Sequence, residues 1–223
     1  MKHIIKLREP NSLEQHRANK PSFYDGLSIL AKDELRQSLL AEQGQICCYC
    51  MKRIPEANSP YMKVEHFKCQ DNFESLQLTY SNLLGACTGN EGKPNRIQTC
   101  DTKKGNLDLA INPLSKMPNC EILIKYNAEG EISSVTGDEE INRQLNEVLN
   151  LNMQTLKEGR RQVYLEIQRR VETESRNLGN KQLRLKYFEQ ERNAWLFRVN
   201  NKFKPFCMVA VYYLTKKIRQ CQN

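Results

Sequence analysis

Apolar positions in "SILAKDELRQSLLAEQG", residues 28 to 44, fall at Ile29, Leu30, Leu35, Leu39 and Leu40, with Gly44 as a stop, and predict an amphipathic helix. Ahead of it, residues 1 to 25 are polar and carry Pro10 and Pro21, which predicts an extended arm with little core of its own, suited to docking. Residues 45 to 110 are short runs broken by Gly, Pro and Asn. Such a loop-rich module cannot bury much apolar surface unaided, so something must staple it. In "EILIKYNAEGEISSV" two β-favouring runs flank Asn127 to Gly130, a hairpin signal. From Asp138 to about Glu174 the positions Ile141, Leu145, Val148, Leu149, Val163, Ile167 and Val171 repeat with helical period, with Gly159 as the expected break or kink. The last stretch reads as one helix before Pro205 and a more apolar one after it. The expected class is α+β, in three segments: an amino-terminal arm and helix (1–44), a stapled module (45–110), and a hairpin with a helical carboxy-terminal region (111–223). No internal repeat is visible.

At 223 residues the chain can bury one sizeable core or two small ones and needs no disulfide scaffold. A formal net charge of +8 suits a polyanionic partner. The longest apolar patch, "FCMVAVYYL", is far too short to span a membrane, and "MKHIIKLREPNSLEQ" becomes charged too early for a secretory signal. The expected location is the cytoplasm, where the nine cysteines stay reduced and their number needs metal, catalysis or burial to explain it.

Cys47 and Cys50 form a C-x-x-C pair, and Cys87 and Cys100 supply a second, more widely spaced pair. Four thiolates are the ligand set of a closed structural zinc site. A C-x-x-C turn presents two sulfurs to one ion, and Lys52 and Arg53 lie near enough to moderate the thiolate charge. Cys48 could stand in for Cys47, and Cys69, three residues after His66, for Cys100. A thioredoxin-like redox pair lacks its βαβ surroundings. Cys120 and Cys207 read as buried free thiols, and Cys221 falls outside the module.

Between the cysteine pairs stands Glu65-His66, followed by Asn82-Leu83; Asp101 directly follows the fourth cysteine, with Lys103 and Lys104 close behind. This combination, over about residues 45 to 106, resembles the HNH endonucleases, the ββα-metal nucleases, in the variety held by a four-cysteine zinc knuckle. Two departures stand out. Asp101 occupies the last metal-binding position, usually His or Asn, with Asn106 as the alternative, and an insertion of about ten residues, "TGNEGKPNRI", separates the second pair of cysteines.

The resemblance implies that His66 is the general base and that Asn82 fixes the imidazole through a backbone or side-chain hydrogen bond. It further implies that Glu65 and Asp101 hold a catalytic Mg²⁺ or Mn²⁺, while the zinc is structural. These residue types suit phosphodiester hydrolysis: a neutral imidazole can take a proton from water at pH 7, and carboxylates are hard oxygen ligands. Lys103 and Lys104 are expected phosphate contacts. On a straight strand Glu65 and His66 would point to opposite faces, so the arrangement requires a bend.

More widely, the short basic start "MKHIIK", the module in the first half, "CDTKKGN", the hairpin "IKYNAEGEI" and the helical second half resemble the HNH subunit of Septu-type and retron-associated anti-phage systems. This implies a nuclease acting on DNA, or on host RNA such as tRNA, beside an ABC-type ATPase. The chain has no G-x-x-x-x-G-K-[ST] of its own. The tail "PFCMVAVYYLTKKI" and the arm are candidate docking surfaces, although the tail reads first as the chain's own core. The competing readings are a non-catalytic zinc module that binds nucleic acid or protein, and a thiol redox protein.

Overall fold

The computed structural model describes residues 1–19 and 22–222. Pro21, part of the expected arm, lies outside the described residues. The architecture is α+β, with two small antiparallel sheets set among helices and one continuous buried cluster that runs from Met1 to Ile218.

The arm is not an extended, coreless segment. Met1 and Leu13 are fully buried, Ile4 nearly so, and Ile4 N donates to Pro113 O at 2.8 Å. Asn11–Ala18 forms helix α1, for which Pro10 is the N-cap. Three widely separated apolar side chains anchor this segment, a pattern too sparse to read as a periodicity.

Helix α2 spans Ile29–Glu42. It begins where Ser28 accepts a hydrogen bond from Ala31 N and ends near Gly44, which adopts φ +59°. The buried stripe is Ala31, Leu35, Leu39 and Leu40; Ile29 and Leu30, in the first turn, are 79% and 77% exposed. Gln43, just past α2, clamps the next sheet: its Nε2 donates to Gly85 O and its Oε1 accepts from Gly85 N, both at 2.7 Å.

That sheet pairs β1 (Met62–His66) with β2 (Leu83–Cys87), in register from Met62 opposite Cys87 to His66 opposite Leu83. A one-turn helix, α3 (Cys100–Lys104), follows the insertion and packs on β2, completing a ββα unit.

In the second half, Asn119 caps a short α4 (Cys120–Leu123), so the first expected β-run opens as a helical turn before β3 (Ile124–Tyr126). Strand β3 pairs with β4 (Ile132–Ser134) across the turn expected at Asn127 to Gly130, where Gly130 takes φ +79°. Helix α5 (Glu139–Arg143) runs into a π-helical turn over Gln144–Val148. The break then comes at residues 149–153, where Asn150 has φ +47°, and not at Gly159. Gly159 lies inside α6 (Gln154–Asn177) because the Phe206 ring packs against it; a Cβ there would meet Phe206 Cε2 at 2.6 Å. The break has a use: the freed Leu149 O accepts from Cys100 N at 2.9 Å, tying α3 to the carboxy-terminal half.

Helices α7 (Lys181–Leu196) and α8 (Cys207–Gln222) pack on each other, and α8 also packs on α6 and β3. Val209, Ala210 and Leu214 are fully buried, so the apolar tail is the chain's own core. No helix among the described residues is long and apolar enough to cross a membrane.

Candidate functional site

The four expected cysteines converge. The Sγ atoms of Cys47, Cys50, Cys87 and Cys100 all lie within 4.8 Å of one another, with Cys47 to Cys100 at 3.9 Å and Cys87 to both Cys50 and Cys100 at 3.8 Å. A tetrahedral zinc with bonds of about 2.3 Å requires sulfur separations of about 3.8 Å, so the set fits that ion. Cys48 and Cys69 are buried but stand outside the cluster. The knuckle turn is closed by Met51, at φ +63°, whose N donates to Cys47 O, and Lys52 N points at Cys50 Sγ at 3.4 Å. Burial raises the Cys47 thiol, and only hydrogen bonding to Cys100, Cys48, Cys50 and Cys87 brings it well below its ordinary value. Cys100 is in turn held well above, first by its bond to Cys47. Thiols crowded so that they cannot all ionise alone are what a dication relieves.

The carboxylates also converge. Lys63 and Glu65, two apart on one face of β1, both reach Asp101 at the start of α3. Lys63 Nζ lies 3.1 Å from Asp101 Oδ2, and the Glu65 and Asp101 carboxyls are near enough to shift one another's ionisation. Burial lifts the Glu65 carboxyl well above its usual range, and the contact with Asp101 adds to this. Burial also disfavours ionised Asp101, but the Glu65 carboxyl and Lys63 outweigh it and hold Asp101 below its usual range. Two neighbouring carboxyls whose ionisation is coupled offer hard oxygen donors of the kind that suit Mg²⁺ or Mn²⁺. Asn106 is elsewhere: it is exposed and donates to Asp71 Oδ2.

His66 closes β1, and the chain bends at Phe67 and Lys68. Its ring leaves the other face of the strand, edge-on to Tyr24 with centroids 4.7 Å apart, and Nε2 lies 3.0 Å from Gln77 O. A carbonyl can only accept, so Nε2 carries the proton and Nδ1 is the basic nitrogen. Burial lowers the imidazole pKa, which keeps the ring neutral; the Gln77 carbonyl and the charge of Asp101 pull the other way. Asn82 makes no recorded bond to the ring. It holds the bend instead: Oδ1 accepts from Lys68 N at 2.8 Å, Nδ2 donates to Lys68 O at 2.9 Å, and Asn82 O accepts from Phe67 N.

Of the two lysines expected to contact phosphate, Lys104 lies elsewhere than on the surface. Lys104 is only 2% exposed, and its Nζ lies 2.8 Å from Glu65 Oε1 and 3.1 Å from His66 O. On a one-turn helix the residue four after buried Cys100 must face inward with it, so Lys104 is an internal counter-ion and not a surface contact. Lys103 is half-buried and braces the insertion through Asn95.

Three participants were not foreseen. Lys63 carries a signal, being two residues before Glu65 and so on its strand face. Tyr49, inside the C-x-x-C, donates to Glu65 Oε1 at 2.5 Å, and only its position hinted at that. Gln77 acts through its backbone carbonyl and carries no signal.

The chain is 31% identical over 134 residues to "Septu protein PtuB" of Bacillus thuringiensis, a match covering 57% of this chain and 49% of that protein. It is 30% identical over 113 residues to "Retron Vc95 putative HNH endonuclease" of Vibrio cholerae serotype O1 biovar El Tor, covering 49% of each. The chain is thus similar to a Septu protein and to retron proteins named as HNH endonucleases. A third relative of this kind, "Retron Ec83 putative HNH endonuclease" of Escherichia coli, is 26% identical over 122 residues, covering 48% of this chain and 47% of its own. The chain spans about half the length of the Septu and retron relatives it matches. No protein-family model matches it.

Proposed function

We propose that the chain is a metal-dependent HNH endonuclease that hydrolyses phosphodiester bonds, in DNA or in host RNA such as tRNA. In this reading it is the cytoplasmic nuclease effector of an anti-phage defence complex with an ABC-type ATPase. The observation that carries the reading is the anchored imidazole: Nε2 is committed to Gln77 O, which leaves Nδ1 of a neutral ring as the basic nitrogen, in a ring that feels the charge of Asp101. The names of the Septu and retron relatives support the defence setting.

In this mechanism His66 Nδ1 takes the proton of the attacking water, and Asn82 keeps the ring in place by pinning the backbone two residues on. Glu65 and Asp101 would hold Mg²⁺ or Mn²⁺. When bound, that ion supplies charge stabilisation at the scissile phosphate and the leaving 3′ oxygen. Lys63 and Lys104 balance the carboxylates, and the excess of basic residues attracts the polyanion.

The second reading, a non-catalytic zinc module that binds nucleic acid or protein, draws on the knuckle, whose four sulfurs need neither carboxylate. The test is His66→Ala with the partner ATPase present. Lost cleavage with zinc content and fold retained supports the enzyme, and unchanged nicking removes it.

A further inference from the structure

Glu65 is held from two sides. Tyr49 is fully buried in the turn between Cys47 and Cys50, and its hydroxyl donates to Glu65 Oε1 at 2.5 Å. Lys104, on the helix that begins at Cys100, reaches the same oxygen at 2.8 Å. The two donors therefore come from opposite halves of the knuckle, one from the C-x-x-C turn and one from the helix carrying the fourth cysteine. Both fall on a single carboxylate oxygen. A buried carboxylate that needed only satisfying has four lone-pair directions over two oxygens to share among donors. Two donors on Oε1 fix the rotation of the group and turn Oε2 to the side where Asp101 lies.

We infer that Tyr49 is a positioning residue: with Lys104 it locks Glu65 so that Oε2 is offered, beside Asp101, to the divalent cation, and this grip is set by zinc in the knuckle. The inference rests on the nuclease reading given above, in which Glu65 and Asp101 are ion ligands. It adds that the structural and the hard-ion sites are energetically coupled through one phenol. Zinc draws the two cysteine-bearing segments together, and these segments carry the donors to Glu65. By thermodynamic reciprocity, an ion at the carboxylates must strengthen zinc retention as much as zinc strengthens the binding of that ion.

The test uses Mn²⁺ binding, read from the paramagnetic resonance of the free ion, in a His66→Ala chain that cannot turn over. Adding Tyr49→Phe keeps the ring and removes only the hydroxyl. Zinc measured by elemental analysis should stay at one per chain while Mn²⁺ affinity falls about tenfold or more, the range for losing a residue that orients a metal ligand. Unchanged Mn²⁺ affinity with zinc intact overturns the inference. If His66→Ala alone binds no Mn²⁺, the nuclease reading of the carboxylates has failed instead. If Tyr49→Phe sheds its zinc, the unsubstituted chain decides: saturating Mn²⁺ should slow zinc loss to a thiol reagent, and equal loss with and without Mn²⁺ overturns the coupling.

Discussion

The ε-ammonium of Lys104 sits 2.8 Å from Oε1 of Glu65, with both side chains 1% exposed. Lys104 balances the charge of the coupled Glu65 and Asp101 carboxyls, and removing it leaves that charge uncompensated away from water. Lys104→Met should therefore lower the unfolding free energy by roughly 3–5 kcal/mol. Urea denaturation checks this, and a change below the scatter of surface substitutions would mean that Lys104 reaches solvent.

Lys103, its neighbour, should behave oppositely. It is half-buried at the base of the insertion and, among the described residues, pairs with no acidic side chain. Lys103→Ala should leave stability within about 0.5 kcal/mol, weaken nucleic-acid binding uniformly across sequences, and lower the slope of log affinity against log salt by about 0.9 for duplex DNA. Filter binding at several salt concentrations gives that slope, and an unchanged slope removes Lys103 from the phosphate contacts.

What separates these two lysines explains how far the site was legible. C-x-x-C, Glu65-His66 and Cys100-Asp101 are adjacent in the chain and chemically distinctive, so their meeting could be expected. Helix α2 and the Asn127 to Gly130 turn were legible because local residues set them: an i, i+4 stripe with a glycine stop, and a glycine at positive φ. The inward lysine was readable too, as the residue four after Cys100, but only once α3 was known to be a helix. Nothing local announces that Gln77 lends a carbonyl to His66, or that Met1, Ile4 and Leu13 pin the arm. Those contacts depend on segments brought together by the whole fold.

Gly159 lies inside α6 because of a close approach and not because the helix ends there. It permits the Phe206 ring to approach α6 and breaks nothing. Gly159→Ala would gain helix propensity but force the ring aside, a net loss of about 1–3 kcal/mol. Thermal unfolding checks it. A stabilised protein would mean that Phe206 has room to move.

The acid limb of cleavage follows from His66. Its folded pKa is lowered from 6.5, first by burial, so at intermediate pH the unfolded chain binds more protons than the folded one. The stability held in the neutral ring is thus fully present above pH 6.5 and lost as pH falls through the folded value. The base is lost over the same range. At saturating Mn²⁺, the acid limb of kcat/KM should lie below 6.5 and not move when Mn²⁺ is raised further. A limb above 6.5 would assign the base to another group.

The third motif position separates Asp101 from Asn106 by where each side chain goes. Asp101 pairs with Lys63 and its ionisation is coupled to that of Glu65, whereas Asn106 is exposed and bonded to Asp71. A ligand must stand beside its co-ligand, so Asp101→Ala should abolish cleavage while Asn106→Ala changes it less than about twofold, as expected of a surface side chain. Because affinity for the polyanion resides in lysine and arginine contacts to phosphates, Asp101→Ala should bind nucleic acid with an undiminished salt slope. Under the nuclease reading, mild chelation should stop cleavage by the unsubstituted chain while zinc remains on the four thiolates, and Mg²⁺ or Mn²⁺ alone should restart it. If Asp101→Ala cuts normally and Asn106→Ala does not, the loop after α3 must swing inward on substrate binding, exchanging Asp71 for the ion. If cleavage persists in excess chelator, the carboxylates serve only to hold Lys63 and Lys104.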